Sequence, residues 1–138
     1  MPVPVTLPRL SWGAPHAPRH ALLIHGLGSN GALMWRYGAW LADAGWHATA
    51  VDLRGHGTAP RALDYTIDAY ASDVLHTAAP DGEPWDLVIG HSLGGAAATI
   101  FAVLPTNLAN LTGEAIETVQ PLADGVGSNL ERQHAAGL

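Results

Sequence analysis

Cysteine and lysine are both missing from this sequence of 138 residues. Without cysteine there is no disulfide framework, no thiolate nucleophile and no cysteine-ligated metal. The six basic residues are all arginines and stand against twelve acidic residues, which gives a formal charge of −6. No basic patch is left to neutralise phosphates. We therefore expect no nucleic-acid partner.

Long apolar runs and a leader pattern are also lacking. The longest apolar stretch, residues 93–104, contains two glycines and is well short of the roughly 20 residues that span a bilayer. The first five residues have neither the basic nor the apolar region of a signal peptide. We expect a cytoplasmic protein without a membrane anchor. A chain that is 48% hydrophobic and 13% charged is expected to fold around one core.

Apolar runs alternate with helical patterns along the chain. A loose alternation over residues 3–12 favours a short edge strand or hairpin. Beyond it, the pattern predicts strands at 21–24, 48–51 and 85–89, and helices at about 30–44, 67–79 and 95–103. Such alternation predicts an α/β fold, an open, mostly parallel sheet flanked by helices, with ligands at the carboxyl ends of the strands.

Two helix starts have capping residues. Ser29 or Asn30 is the predicted cap of the first helix, and Thr66 that of the second. Apolar residues recur at helical spacing in both helices and predict one apolar face on each. These are Leu33, Tyr37, Trp40 and Leu41 in the first helix, and Ile67, Tyr70, Ala71, Val74 and Leu75 in the second. The second helix is predicted to end at Pro80, Asp81 and Gly82.

A Gly-x-Ser-x-Gly motif, Gly90-His91-Ser92-Leu93-Gly94, joins the third predicted strand to the third helix. A sharp turn at this position raises the serine hydroxyl above the sheet and directs helix N–H groups towards a developing oxyanion. Ser92 is therefore the candidate nucleophile. The other interpretation is a glycine-rich turn whose serine only caps the helix.

Three motifs in order resemble the α/β-hydrolase family: His25-Gly26-Leu27-Gly28, Asp52-Leu53-Arg54-Gly55-His56-Gly57, and Gly90-His91-Ser92-Leu93-Gly94-Gly95. The resemblance covers about residues 5–104, the first half of a typical member, and implies a shortened α/β-hydrolase fold over residues 1–104. It implies that the N–H groups of Leu27 and Leu93 hold the oxyanion. It also implies supporting roles for His25, Gly26, Gly28, Gly90, His91 and Gly94, and no cofactor.

The eight histidines raise the question of a metal site. His16 and His20 are four residues apart, but Pro15 and Pro18 prevent the helix that would bring them onto one face. We expect no metal. His25, His56 and His91 belong to the motifs, and we expect structural roles for them.

The family supplies the acid and the histidine of its triad late in the chain, in the order serine, acid, histidine. Asp124 and His134 preserve that order, with Glu131 as a competing acid. Asp124 follows Ser92 by only 32 residues, which leaves little room for further strands. The alternative is that residues 105–138 form a divergent tail of helix and loop, with His134 at the surface.

The family's strand order would leave residues 85–89 at an edge of the sheet, although their apolar sequence is typical of an interior strand. A homo-oligomer in which a second chain covers this strand would resolve the conflict. We predict a serine hydrolase that cleaves a small-molecule carboxylic ester through an acyl-enzyme on Ser92. The alternative is a non-catalytic α/β-hydrolase fragment or interaction module that lacks a complete triad.

Overall fold

The computed structural model describes residues 2–103, in which four strands and three helices alternate. The strands are β1 (Arg9–Trp12), β2 (His20–Ile24), β3 (His47–Val51) and β4 (Leu87–Gly90). The helices are α1 (Trp35–Asp43), preceded by a single 3₁₀ turn (Gly31–Met34), α2 (Ile67–Leu75) and α3 (Leu93–Val103). The bounds of β2, β3 and β4 lie within two residues of the predicted ones.

One sheet contains all four strands, in the order β1-β3-β2-β4. Strand β1 is antiparallel to β3, whereas β2 is parallel to both β3 and β4. The predicted open, mostly parallel sheet is confirmed, with β1 as the expected edge strand. Because β2, β3 and β4 are parallel, the loops that follow them meet at one edge of the sheet.

Side-chain alternation divides the core into two layers. Leu22 and Ile24 of β2 pack with Tyr70 and Val74 of α2 on one face of the sheet. Ala21 and Leu23 point to the opposite face and pack with Met34 and Leu41. Successive residues of a strand project to opposite faces, so β2, buried throughout, separates α1 from α2 and α3.

The first helix buries only Leu41 of the four residues on its predicted apolar face. Leu33, Tyr37 and Trp40 remain 63%, 45% and 63% exposed. The residues of this segment that are buried are Gly31, Met34, Gly38 and Leu41. Gly38 lies directly against the Trp12 ring, where a Cβ atom would collide with it. The helix therefore presents its smallest residue to the bulkiest side chain of β1.

The predicted cap Asn30 is confirmed, since its side chain accepts a hydrogen bond from the Leu33 N–H at 3.2 Å.

The second helix starts as predicted and ends earlier. The Thr66 hydroxyl accepts a hydrogen bond from the Ala69 N–H at 3.3 Å, and the predicted apolar face packs against the core. The helix ends at Leu75 rather than at residues 80–82. The indole of Trp85 donates to the Thr77 carbonyl at 2.7 Å, so a tertiary contact takes the place of a further helical hydrogen bond.

Strand β4 borders the sheet within residues 2–103, with β2 as its neighbour there. Its Leu87 and Val88 are nevertheless buried. The predicted features of the tail, among them Asp124 and His134, lie outside the described residues. No helix in residues 2–103 is both long and apolar enough to cross a membrane.

Candidate active site

Ser92 stands on a strained turn between β4 and α3. Its φ is +53°, and it is the one non-glycine residue with a positive φ within residues 2–103. The left-handed conformation costs an L-residue about 1–2 kcal/mol, and such strain is concentrated at functional sites. Ser92 is exposed at the carboxyl end of β4. The local geometry is that of a nucleophile elbow.

Glycines allow the strand and the helix to approach closely around Ser92. A Cβ atom on Gly94 would collide with the Ile24 carbonyl oxygen and would lie 2.6 Å from that of His25. A Cβ atom on Gly90 would collide with the Gly94 carbonyl group. The start of α3 therefore packs directly on the end of β2, at a distance that only glycine permits.

The loop after β2 packs against this elbow. Its residues 26–29 form a tight turn in which the Ser29 N–H donates to the Gly26 carbonyl at 3.2 Å and Gly28 has a φ of +75°. These features are those of a type II turn with Leu27 at its second position. A Cβ atom on Gly26 would lie 2.9 Å from His91 Nδ1 and 3.3 Å from Ser92 Cβ. The fold thus brings the first and third sequence motifs into contact.

The N–H groups of Leu27 and Leu93 take part in none of the hydrogen bonds within residues 2–103. By contrast, the Gly28 N–H donates to His56 Nε2 at 3.0 Å. Leu93 is the first residue of α3, where the helix dipole favours negative charge. Both N–H groups that the sequence assigns to the oxyanion hole are therefore without a hydrogen-bond partner among the described residues.

A model of the alpha/beta hydrolase family matches residues 21–134, which is most of the chain. The protein belongs to the alpha/beta hydrolase family. Lipase LipV of Mycobacterium tuberculosis is 36% identical over 98 residues, covering 70% of this chain and 37% of the lipase. The pimeloyl-[acyl-carrier protein] methyl ester esterase of Methylococcus capsulatus is 36% identical over 92 residues, covering 66% of this chain and 34% of the esterase.

Solved structures agree with this assignment. A lipase-esterase related protein from Clostridium acetobutylicum is 26% identical, with a TM-score of 0.64 over 77% of this chain and 44% of that one. The fold is that of a shortened alpha/beta hydrolase, related at the family level to esterases and lipases. The chain spans a little over one third of the length of the two curated relatives.

In this alpha/beta hydrolase, His25 links two loops and has no free ring nitrogen. Its Nε2 accepts a hydrogen bond from the Leu53 N–H at 3.0 Å, so Nδ1 carries the proton and donates to the Gly26 carbonyl at 2.7 Å. Burial lowers the pKa of His25, partly opposed by the Gly26 hydrogen bond. The neutral ring is therefore favoured, and it holds the turn that contains Leu27.

His56 is occupied in the same way. Its Nδ1 donates to the Arg54 carbonyl at 2.9 Å, while its Nε2 accepts from the Gly28 N–H. The rings of His25 and His56 lie 5.0 Å apart between centroids. Neither ring has a nitrogen available for the Ser92 proton. Of the three histidines in the family motifs, only the exposed His91 is not held in this way.

Asp52 and Arg54 position these loops, a function that the sequence analysis did not assign to them. The Asp52 carboxylate accepts hydrogen bonds from the Gly31 N–H at 2.7 Å and from the N–H and hydroxyl of Thr58 at 3.0 and 3.1 Å. Although partial burial raises the pKa of Asp52, the hydrogen bonds from Thr58 and Gly31 outweigh it and leave this pKa below its usual value. The sequence carried one indication of this role, because Asp52 and Arg54 both belong to the second family motif.

Arg54 forms a buried ion pair with Asp73 of α2. Two guanidinium nitrogens, Nε and Nη2, donate to the carboxylate oxygens at 2.7 Å each. The hydrogen bonds that Arg54 donates to Asp73 raise the pKa of Arg54 above its usual value. The same guanidinium donates to the carbonyls of Asp64 and Val3. This pair therefore joins the loop after β3, α2 and the N-terminal segment.

Among the surface clefts of the described residues, two lie away from Ser92. The larger, about 350 Å³, lies beside Asp52 and Arg9. The smaller, about 100 Å³, lies between the N-terminal segment and the end of α2. Within residues 2–103, no group of three histidine or acidic side chains is arranged to hold a metal ion.

Proposed function

We propose that this protein hydrolyses carboxylic esters through an acyl-enzyme on Ser92. The observation that carries the proposal is the positive φ of Ser92 on a strand-to-helix turn, packed against the Gly26 loop. A hydroxyl held in this way faces solvent at the carboxyl edge of the sheet, where substrates bind in open α/β folds. The esterases and lipases among the relatives support the same reaction class.

The reaction proceeds in two halves. In the first, Ser92 Oγ attacks the acyl carbon while its proton passes to a histidine, and the alcohol leaves with that proton when the ester C–O bond breaks. In the second, water attacks the acyl carbon and gives its proton to the same histidine, which passes that proton to Ser92 Oγ as the acyl–Oγ bond breaks and the acid is released. The Leu27 and Leu93 N–H groups hold the oxyanion in both halves, each contributing about 2.7–4 kcal/mol.

His134 is our proposed base and Asp124 the acid that orients it. The occupied ring nitrogens of His25 and His56 support a base elsewhere in the chain. His91 is the remaining motif histidine and is the alternative base. The order of Ser92, Asp124 and His134 agrees with that of the family's triad.

A second candidate function is an interaction module that keeps the fold and has lost turnover. It is favoured by the occupied ring nitrogens of His25 and His56, since neither ring can take the Ser92 proton. Under this alternative the Ser92 hydroxyl is present without an activating base.

Covalent labelling separates the two functions. A fluorophosphonate requires an activated serine, whose Oγ displaces fluoride from phosphorus. We expect the full chain to gain the mass of one probe, with the modified peptide containing Ser92. The control is Ser92→Ala, which removes the hydroxyl with little loss of packing because the side chain is exposed. Absence of labelling in the folded protein would favour the interaction module.

A further inference from the structure

Three exposed apolar side chains lie on α1 and on the 3₁₀ turn that precedes it. Tyr37 and Trp40, three residues apart, share one side of α1, and Leu33 belongs to the 3₁₀ turn. We call these three side chains the α1 stripe. Its members are 63%, 45% and 63% exposed, while Gly38 and Leu41 of α1 are buried against the sheet. The α1 stripe is therefore separate from the core.

Two opposite charges flank the α1 stripe on the same side. Arg36 and Asp43 are seven residues apart, which places them two turns apart on one face and about 10 Å apart along the axis. Both are exposed. Neither forms an ion pair within residues 2–103, where the ion pairs are His20 with Asp81 and Arg54 with Asp73. Arg36 instead lies over the Trp35 ring.

We propose that two copies of this chain associate through the α1 stripe, with their α1 helices antiparallel about a two-fold axis. In such a pair, groups on one flank of a helix meet the same flank of the other copy. A register centred between residues 39 and 40 brings Arg36 of each copy opposite Asp43 of the other. Both ion pairs form together, and Trp40 of the two copies meets near the axis.

The charges favour a second copy over other occupants. An isologous interface must be complementary to itself, and a single face that carries one arginine and one aspartate, evenly placed about the point between residues 39 and 40, meets this condition. Tryptophan, tyrosine and arginine are the residues that contribute most at protein interfaces. The area is modest, because aromatic side chains bury on the order of 150–250 Å² each. We therefore expect a reversible, concentration-dependent dimer.

Charge exchange tests this interface in the full chain. Arg36→Asp gives each copy two acids at the contact, and Asp43→Arg gives each copy two arginines, so each variant alone repels itself. We expect each single substitution to raise the dimer dissociation constant at least about tenfold, measured by sedimentation over a concentration series. Mixing the two variants restores opposite charges at both contacts, and we expect a heterodimer close to wild-type affinity.

The double variant Arg36→Asp/Asp43→Arg should also regain wild-type dimerisation, because its charges are exchanged and remain complementary. Circular dichroism checks that the exposed substitutions leave the fold intact. A wild-type protein that stays monomeric up to about 1 mM would overturn the proposal, as would a dimer that neither single variant weakens. Failure of the mixed variants to associate would overturn the antiparallel register. In each case another surface, such as the β4 edge expected from sequence, becomes the candidate.

Discussion

His25 accepts a hydrogen bond at Nε2 from the backbone N–H of Leu53 at 3.0 Å, which joins the loops that follow β2 and β3. Through Nδ1 the same ring donates to the Gly26 carbonyl, at the start of the turn that contains Leu27. A neutral histidine therefore connects the turn that contains Leu27 to the second family motif. Because the bond to Leu53 requires an unprotonated Nε2, this connection depends on pH.

We expect His25 to make the fold sensitive to mild acid. Burial lowers its pKa in the folded protein, so below about pH 6.5 the unfolded chain binds more protons than the native one. The free energy of unfolding should therefore fall as the pH drops below this value, at up to about 1.4 kcal/mol per pH unit. Urea unfolding between pH 7.5 and 5 measures this slope. His25→Gln should be less stable at pH 7.5 and show a smaller slope; an unchanged slope would contradict the prediction.

Leu27→Pro tests the oxyanion N–H without changing the turn type. Proline is favoured at the second position of a type II turn, which Leu27 occupies, and it has no N–H to donate. We expect kcat on a short activated ester to fall about 10²–10³-fold. Leu27→Ala is the matched control, since it shortens the side chain and keeps the N–H. Equal rates for the proline and alanine variants would exclude Leu27 as a donor.

Ser92→Gly and Ser92→Ala should differ in stability although both lack the hydroxyl. Alanine keeps the cost of a positive φ at position 92, whereas glycine adopts this conformation without steric cost. We expect the glycine variant to be more stable by about 1 kcal/mol, after allowance for its more flexible unfolded chain. Urea titrations of both variants measure the difference. If alanine proved equally stable, the turn would not be strained at Ser92.

Removing only one partner of the Arg54–Asp73 ion pair should destabilise the fold more than replacing both partners. Asp73→Asn leaves a buried guanidinium without its counter-charge, and we expect a loss of about 3–5 kcal/mol. Replacing both partners, as Arg54→Met/Asp73→Leu, should cost less than the single change, because no charge remains buried. Thermal unfolding of the three proteins checks this order. A double variant that was the least stable would contradict it.

His134→Ala should reduce turnover of an ester far more than Asp124→Ala does, since the histidine transfers the proton and the acid only orients it. An unactivated alkyl ester is the stricter substrate, because its poor leaving group needs general-acid help. Oxyanion binding alone can leave roughly 10³–10⁴-fold catalysis over water, so residual activity on an activated ester is expected in both variants. An unchanged rate for His134→Ala on the alkyl ester would show that the base lies elsewhere.

Local sequence determined most of the framework of this protein. Short apolar runs specify β2, β3 and β4, and the capping side chains of Asn30 and Thr66 specify where two helical segments begin. These signals lie within a few residues of the structure that they specify. The elbow at Ser92 was predictable for the same reason, because its glycines are adjacent to it in sequence.

Tertiary structure alone decided how these elements face one another. Apolar spacing indicated Leu33, Tyr37 and Trp40 as one face of the first helix, but contact between Gly38 and the distant Trp12 turned that face outwards. The bond between His25 and Leu53 and the pairing of Arg54 with Asp73 likewise join residues 28 and 19 positions apart. The periodicity of the sequence indicates that a segment is amphipathic. The residues that pack against the segment in the folded protein determine which side is buried and which polar groups are paired.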